Sequence, residues 1–156
     1  MTAKAETPAQ QAARLLQRMQ VEIPLTAAMQ LALAAFDGET LVLAAPLAPN
    51  INDKGSAFAG SITALGSITG WSLLTLWSER EQLPCQVAVY EARFVFRKPL
   101  TGDFTATVSL PEATVRGGLV ESLQRKGKGR VGLRVVLADA GGDAAYLEAD
   151  YALWRA

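Results

Sequence analysis

The chain has 156 residues, of which half are hydrophobic and 19% are charged, and its 15 basic residues balance its 15 acidic ones. This length suits one domain with a full core, and zero net charge gives no electrostatic footprint for nucleic acid. There is no histidine and a single cysteine, Cys85. The sequence therefore excludes histidine-based triads, histidine metal sites and an internal disulfide.

The first helix is predicted to begin at Thr7. Residues 1–6 have no apolar core of the kind found in signal peptides, so we expect them to be loose and the protein to be cytoplasmic. Thr7 followed by Pro8 and Gln10 is typical of a capping box. Pro24 ends this N-terminal segment, residues 1–22 of a single domain spanning 1–156. One helical face is predicted to hold Ala12, Leu15, Leu16 and Met19.

Two apolar stretches, Ala27 to Phe36 and Thr40 to Leu47, are predicted to be paired strands. The Asp37-Gly38 pair between them is a strong hairpin-turn pattern. In the first of these strands, Met29, Leu31, Leu33 and Ala35 are expected on one side.

The stretch from Ala57 to Gln82 is predicted to be the long central helix, fed by a polar, turn-forming loop that begins at Pro49. Its uncharged run is long enough to raise the question of a membrane span. Seven serine and threonine residues in and just before the run favour a helix buried inside the domain instead. A face of small residues would let its backbone approach a sheet closely: Gly60, Thr63, Gly66, Ser67 and Gly70.

The rest of the chain reads mainly as strands with alternating apolar residues. These strands are expected near residues 86–98, 104–110, 131–137 and 145–153, with Ala88, Tyr90, Ala92, Phe94 and Phe96 sharing one face of the first. Leu119 to Lys126 fits either a short helix or a strand. Short turns pair strands antiparallel, so the sequence predicts an α+β domain whose curved sheet wraps around one helix.

Several short segments resemble the thioesterase family typified by the YiiD C-terminal domain, a member of the hotdog-fold superfamily. The resemblance extends from about residue 23 to residue 151. The segments are Ala45-Pro46-Leu47, Asn50-x-Asn52, Gly55-Ser56-x-Phe58-Ala59-Gly60-Ser61, Gly70-Trp71, Lys98-Pro99 with Asp103-Phe104, and Lys126-Gly127-Lys128-Gly129-Arg130.

The resemblance implies a homodimer, or a tetramer built from it, with an acyl-thioester site at the subunit interface. The substrate would be a small acyl thioester or an acyl carrier protein. Coenzyme A or phosphopantetheine would enter as part of that substrate, with no separate cofactor and no metal.

Thioester hydrolysis needs an activated water and a site for the oxyanion. The backbone N–H groups of Ala59 and Gly60, at the start of the long helix, are the oxyanion candidates. Asn50 and Asn52 either orient the water or the thioester oxygen, or cap the loop. Replacing either asparagine by alanine is predicted to lower turnover and to leave folding intact.

Two roles are considered for each of three further polar residues. Ser61 and Ser67 either bind water or substrate, or bond back to helix carbonyls. Glu91 is expected to form an ion pair across strands rather than act as a base supplied by the partner subunit.

The remaining candidates are substrate-binding residues. Ser56, Phe58 and Ala59 stand at the helix entrance, and Arg97 and Lys98 follow a strand. The basic run with Lys126, Lys128 and Arg130 either holds the phosphates of coenzyme A or an acidic carrier protein, or is a solvated strand end.

Related hotdog thioesterases that act on acyl-CoA often carry His-Gly-Gly where this chain has Phe58-Ala59-Gly60, and an acid at the place of Ser67. The first hypothesis is hydrolysis of an acyl thioester. The alternative is a dimer that binds an acyl thioester or fatty acid without cleaving it. A third option, hydration or dehydration of an acyl chain, normally needs an Asp–His-type pair.

Overall fold

The structure, a computed structural model, describes residues 5–156; residues 1–4 of the segment expected to be loose lie outside that range. A single turn of 3-10 helix, Ala48–Asn50, precedes the long helix. The helices and strands are α1 (Pro8–Glu22), α2 (Pro24–Ala28), β1 (Ala32–Phe36), β2 (Thr40–Ala45), α3 (Ala59–Arg80), β3 (Cys85–Phe96), β4 (Phe104–Ser109), α4 (Ala113–Lys126), β5 (Lys128–Asp139) and β6 (Gly142–Arg155).

The six strands form one antiparallel, curved sheet in the order β1-β2-β4-β5-β6-β3. Helix α3 packs on its inner face and touches β2 through β6. The predicted architecture, an α+β domain with a sheet around one central helix, is confirmed. The capping box is present as well, since the Thr7 hydroxyl accepts from the Gln10 N–H and the Gln10 side chain accepts from the Thr7 N–H.

Helix α3 can be buried almost all round because its hydroxyl side chains bond to its own backbone. Thr69 donates to the Leu65 carbonyl at 2.7 Å, and Ser72 donates to the Ile68 carbonyl at 2.7 Å. These bonds satisfy polar groups that would otherwise be costly to bury. None of the helices in residues 5–156 combines the length and apolar character that a membrane crossing requires.

Gly66 and Gly70 of the predicted small-residue face of α3 lie close to the sheet, whereas Gly60 is exposed at the start of the helix. The buried Tyr151 donates its hydroxyl to the Ser67 carbonyl at 2.8 Å, and burial raises the pKa of this phenol so that it stays a neutral donor. A Cβ at Gly70 would lie 2.6 Å from Tyr151 Cζ, far inside van der Waals contact. Glycine at position 70 is therefore required by this close approach.

We expect Gly70→Ala to destabilise the fold by about 2 kcal/mol, because overpacking against a rigid buried ring outweighs the gain in helix propensity. For a chain of this size the melting temperature should fall by about 4–8 °C. Gly118→Ala in α4 is the matched control, since nothing lies within 4 Å of a Cβ built there. Thermal denaturation that gave the two variants equal stability would contradict this account of the packing.

Four predictions about local structure are wrong or incomplete. Residues 24–28 form helix α2 rather than the start of a strand, because Pro24 suits the first turn of a helix. A bulge between Leu33 and Ala35 turns Ala35 outward, and β2 ends at Ala45 rather than Leu47. Leu119 to Lys126, which fits either a helix or a strand from sequence, is the second part of helix α4.

The predicted shared face of β3 is also wrong. A register shift between Val89 and Glu91 changes the side of the sheet on which successive residues lie. Ala88 pairs with the partly buried Ala152, whereas Ala92 pairs with the buried Ala149. A single irregularity therefore places the two halves of the strand in opposite alternation.

Candidate functional site

The loop that leads into α3 is held by Asn50, which is only 2% exposed. Its Nδ2 donates to the Met29 carbonyl at 2.9 Å and to the Pro46 carbonyl at 2.8 Å. Because both carbonyls can only accept, Nδ2 must face them and Oδ1 must point elsewhere. That Oδ1 is buried without a partner among the described residues, which leaves its acceptor capacity unused.

Asn52 is engaged entirely within the loop. Its Oδ1 accepts from the N–H groups of Lys54 at 2.8 Å and Ser56 at 3.1 Å. Its Nδ2 donates to the Ser56 hydroxyl at 3.0 Å and to the Ala57 carbonyl at 3.3 Å. All four hydrogen-bonding positions of the amide are filled, which is the geometry of a loop-capping asparagine.

The amino end of α3 has free backbone donors. Phe58, the residue that caps the helix, is extended and supplies no side-chain bond, and the first helical turn closes with Ile62 N–H donating to the Phe58 carbonyl at 3.0 Å. The N–H groups of Ala59, Gly60 and Ser61 therefore have no partner within the helix. They carry the partial positive charge of the helix end and lie at the surface or only partly buried.

A cavity of about 300 Å³ opens at this helix end. Its size is at the lower end of the range for small-molecule sites. Helix α2 forms an apolar wall, and Asn50 and the first residues of α3 form the polar side. The residues that line this helix-tip cavity are Leu25, Ala28, Met29, Pro49, Asn50, Phe58, Gly60 and Ser61, none of which is titratable.

The two candidate helix serines are separated by the structure. Ser61 lines the helix-tip cavity, but Ser67 lies about 10 Å further along α3 and does not. The Ser67 carbonyl instead accepts the Tyr151 hydroxyl. Ser56 does not line the helix-tip cavity, and its hydroxyl accepts a hydrogen bond from Asn52. Phe58 does line the cavity, and its ring lies against Gly60.

Arg97 and Lys98 lie away from the helix-tip cavity. The Arg97 guanidinium is 5.6 Å from the centroid of the Tyr146 ring on the outer face of the sheet, where it lines a cavity of about 200 Å³. The Lys98 Nζ donates to the Gly141 carbonyl at 2.7 Å. The structure therefore does not bring this pair to the amino end of α3.

Lys126, Lys128 and Arg130 line another cavity, of about 440 Å³, at the opposite end of the sheet. Arg155 at that end pairs with Cys85, which follows the carboxyl end of α3. The 22 residues of α3 span about 33 Å, so this cavity and the helix-tip cavity of the same protomer are far apart.

Glu91 does not form the ion pair expected of it. Arg93 is bound instead by Glu148, with 2.9 Å between Nη2 and Oε2, and Glu148 also binds Arg134 at 3.2 Å. Glu91 has no salt bridge within residues 5–156 and lines an outer-face cavity. Over the same range, no group of acidic or cysteine side chains could hold a metal ion.

Sequence reasoning missed the contribution of α2 to the site. Leu25, Ala28 and Met29 form one wall of the helix-tip cavity, but the stretch was interpreted as a strand from Ala27 onward. The sequence does contain one indication of a second helix start. Pro24 is followed by residues that are compatible with a helix, and proline is favoured in the first turn.

Comparison with known proteins agrees with the fold. A protein of unknown function from Chlorobaculum tepidum superposes with a TM-score of 0.90 at 28% identity, over 97% of this chain and 98% of that one. A putative thioesterase from Shewanella oneidensis gives 0.83 at 30% identity, over 91% and 96%. The PaaI protein of the E. coli phenylacetic acid degradation operon shares the fold alone, with 0.67 at 13% identity over 96% of both chains.

One long helix wrapped by a six-stranded antiparallel sheet, as in these neighbours, defines a hotdog-fold protein of the thioesterase type. The family model described as "Putative thioesterase (yiiD_Cterm)" matches residues 12–155. The chain belongs to this family, as the resemblance in its short segments indicated.

Proposed function

We propose that the protein hydrolyses acyl thioesters, of coenzyme A or of an acyl carrier protein, at the amino end of α3. The observation that carries this proposal is the helix-tip cavity, which is lined both by Gly60 and Ser61 of the first turn of α3 and by apolar residues of α2. The acyl group would lie against Leu25, Ala28 and Met29, and the thioester carbonyl would point at the N–H groups of Ala59 and Gly60.

These donors suit the transition state of acyl transfer. As water attacks, the carbonyl oxygen becomes an oxyanion, and N–H groups already aimed at it stabilise the charge without reorganisation. The leaving group is a thiolate, and because thiols are much stronger acids than alcohols (a cysteine thiol has a pKa of about 8.5), its departure needs little help from a general acid. Oriented backbone dipoles would therefore stabilise the oxyanion that precedes carbon–sulfur cleavage, and activation of the attacking water is a separate requirement.

Asn50 is proposed to orient the attacking water. Its buried Oδ1 can accept one water hydrogen, and Ser61 offers a hydroxyl on the same cavity wall. Asn52 would act indirectly, as a positioning residue that keeps the loop in place through Ser56. No lining residue can take the proton that the water loses, so the base would be hydroxide or a group from the partner subunit.

We also propose that the protein is a homodimer, or a tetramer built from it, joined through β3. This strand is one of the two edges of the sheet, with unpaired backbone groups along it. It exposes Val89 and Phe96 on the side that faces α3, where pairing with a second copy would cover them. A single domain over residues 1–156 and a cytoplasmic location remain predictions.

Val89→Lys is expected to weaken the dimer by about tenfold or more, because it places a charge in an apolar contact. Val115→Lys in α4 is the matched control, since Val115 is 47% exposed and Val89 is 41% exposed. Sedimentation velocity over a concentration series measures the effect. A wild-type monomer at all concentrations, or equal behaviour of the two variants, would rule out association through β3.

The hydrolase proposal is tested with purified protein and a panel of acyl-CoA and acyl-carrier-protein substrates of increasing chain length. We expect saturable release of free thiol, with a preference for acyl groups that fit a cavity of about 300 Å³. Absence of thiol release across the whole panel, from protein shown to be folded, would refute it.

The alternative is a protein that binds acyl thioesters without cleaving them. It is favoured by one observation, the lack of any titratable side chain among the residues lining the helix-tip cavity. Saturable binding of an acyl-CoA by calorimetry, together with no thiol release, would establish this alternative.

A further inference from the structure

We propose that the cavity bounded by Lys126, Lys128, Arg130 and Trp154, here called the basic cavity, binds a nucleoside phosphate. It lies on the outer face of the sheet, between the carboxyl end of α4 and the paired strands β5 and β6. Its volume of about 440 Å³ is within the range of small-molecule sites. The proposal extends the proposed function, because coenzyme A itself ends in a nucleoside phosphate.

The charge of the basic cavity is not compensated by nearby acids. Within residues 5–156, Lys126, Lys128 and Arg130 take part in no salt bridge, and no acidic residue lines the cavity. The carboxyl end of α4 contributes only about half a negative charge, well below the charge of three cations. Such a site attracts a multiply charged anion such as a phosphate group.

The larger cavity on the same face of the sheet shows the opposite balance. Its arginines, Arg93 and Arg134, are both bound by Glu148, and Glu91 and Asp150 also line it. Its positive charges are therefore already neutralised, and it is a poor site for an anion. The basic cavity is distinguished by this contrast and not by size alone.

Trp154 lines the basic cavity, and Tyr90 lies beside it in contact with Arg130. Trp154 is 42% exposed and lies opposite Lys128 in the strand register. Arg130, on the same outer face, lies over the ring of Tyr90, 4.8 Å from its centroid, and Tyr90 is 48% exposed. Exposed aromatic rings provide stacking surfaces for a nucleobase, while the adjacent cations hold its phosphates.

Two sources could supply this ligand. In a dimer whose β3 edges pair antiparallel, the basic cavity of one protomer would lie toward the helix-tip end of its partner. It could then hold the adenosine 3′,5′-bisphosphate portion of an acyl-CoA. A free nucleotide acting as a regulator is the other source, since the helix-tip cavity of the same protomer lies toward the far end of α3, a helix about 33 Å long.

The test is calorimetric titration of the full chain with adenosine 3′,5′-bisphosphate, ADP, adenosine and inorganic phosphate. We expect the nucleotides to bind more tightly than adenosine or phosphate, with affinity falling as salt rises. The double variant Lys128→Ala, Arg130→Ala should raise the nucleotide Kd by about tenfold or more, and Trp154→Ala should raise it severalfold.

Arg125→Ala is the control, because it removes one positive charge next to the cavity from a residue that is paired with Glu121 at 2.9 Å and does not line the cavity. Its Kd should change by less than about twofold. No nucleotide binding to folded wild type, or equal losses in the control and the double variant, would overturn the proposal.

Two further arms identify the source of the nucleotide. If it is the substrate, the double variant raises the KM for acyl-CoA relative to that for the nucleotide-free acyl-pantetheine. If the ratio of these KM values is unchanged while the Kd for free nucleotide rises, the ligand is a regulator. The titration measures binding and needs no turnover. Its result is therefore independent of whether the protein hydrolyses thioesters.

Discussion

Replacing Ala59 by proline is expected to slow thioester hydrolysis by about 100-fold or more, the effect of losing one oxyanion donor. Proline lacks the backbone N–H, and Ala59 is the first residue of α3, where proline is tolerated. The preceding Phe58 already has the extended conformation, with ψ of 133°, that proline requires of its neighbour. The substitution should therefore remove a donor and leave the helix in place.

Ala59→Gly is the control, because it changes the side chain and keeps the N–H. We expect it to retain turnover within a few-fold of wild type, while both variants show the same circular dichroism and similar thermal stability. The measured quantity is kcat/KM for the best acyl-CoA substrate. Equal turnover in the proline and glycine variants would remove Ala59 N–H from the oxyanion site and leave Gly60 as the remaining candidate.

Replacing Asn50 by alanine should lower the free energy of unfolding by about 2–4 kcal/mol, because the Met29 and Pro46 carbonyls lose their donor. This differs from the expectation, drawn from sequence alone, that the substitution would leave folding intact. The amide joins the end of α2, the end of β2 and the start of α3, so its loss also loosens the walls of the helix-tip cavity. Turnover is expected to fall with it.

Two comparisons separate the structural and catalytic parts of the Asn50 effect. Asn52→Ala, in a partly exposed loop, should cost about 1 kcal/mol. Asn50→Asp keeps the shape of the side chain but replaces the donor Nδ2 by an oxygen, which can only accept. This oxygen would face the Met29 and Pro46 carbonyls, so we expect at least the same destabilisation as for alanine. Urea unfolding measures the stabilities, and turnover is compared where each variant is fully folded. If Asn50→Ala unfolds at the wild-type urea midpoint, the amide does not hold the loop.

The proposed roles of Asn50 and Asn52 could not be assigned from the sequence. Both amides sit in a turn-forming loop, and either could cap it. The structure fills every hydrogen-bonding position of Asn52, and it buries Asn50 with one oxygen free. Asn50 keeps an unused acceptor because its Nδ2 is bound by distant carbonyls. One of them, the Met29 carbonyl, lies 21 positions earlier in the chain, so the sequence near Asn50 does not reveal this contact.

Local physics determined much of this protein from sequence. The capping box at Thr7, the Asp37-Gly38 turn, the uncharged length of α3 and the alternation in β4, β5 and β6 each act within a few residues, and all are present. The small-residue face of α3 also anticipated its close contact with the sheet, because only glycine leaves room for Tyr151.

Only the tertiary structure decided which of these elements meet. It placed α2 against the amino end of α3 to form the helix-tip cavity, and it moved the basic run to the other end of the sheet. It also introduced the register shifts that reverse the faces of β1 and β3. Periodicity records which side of a strand is apolar, but shifts in register and contacts between distant segments arise from packing across the whole domain.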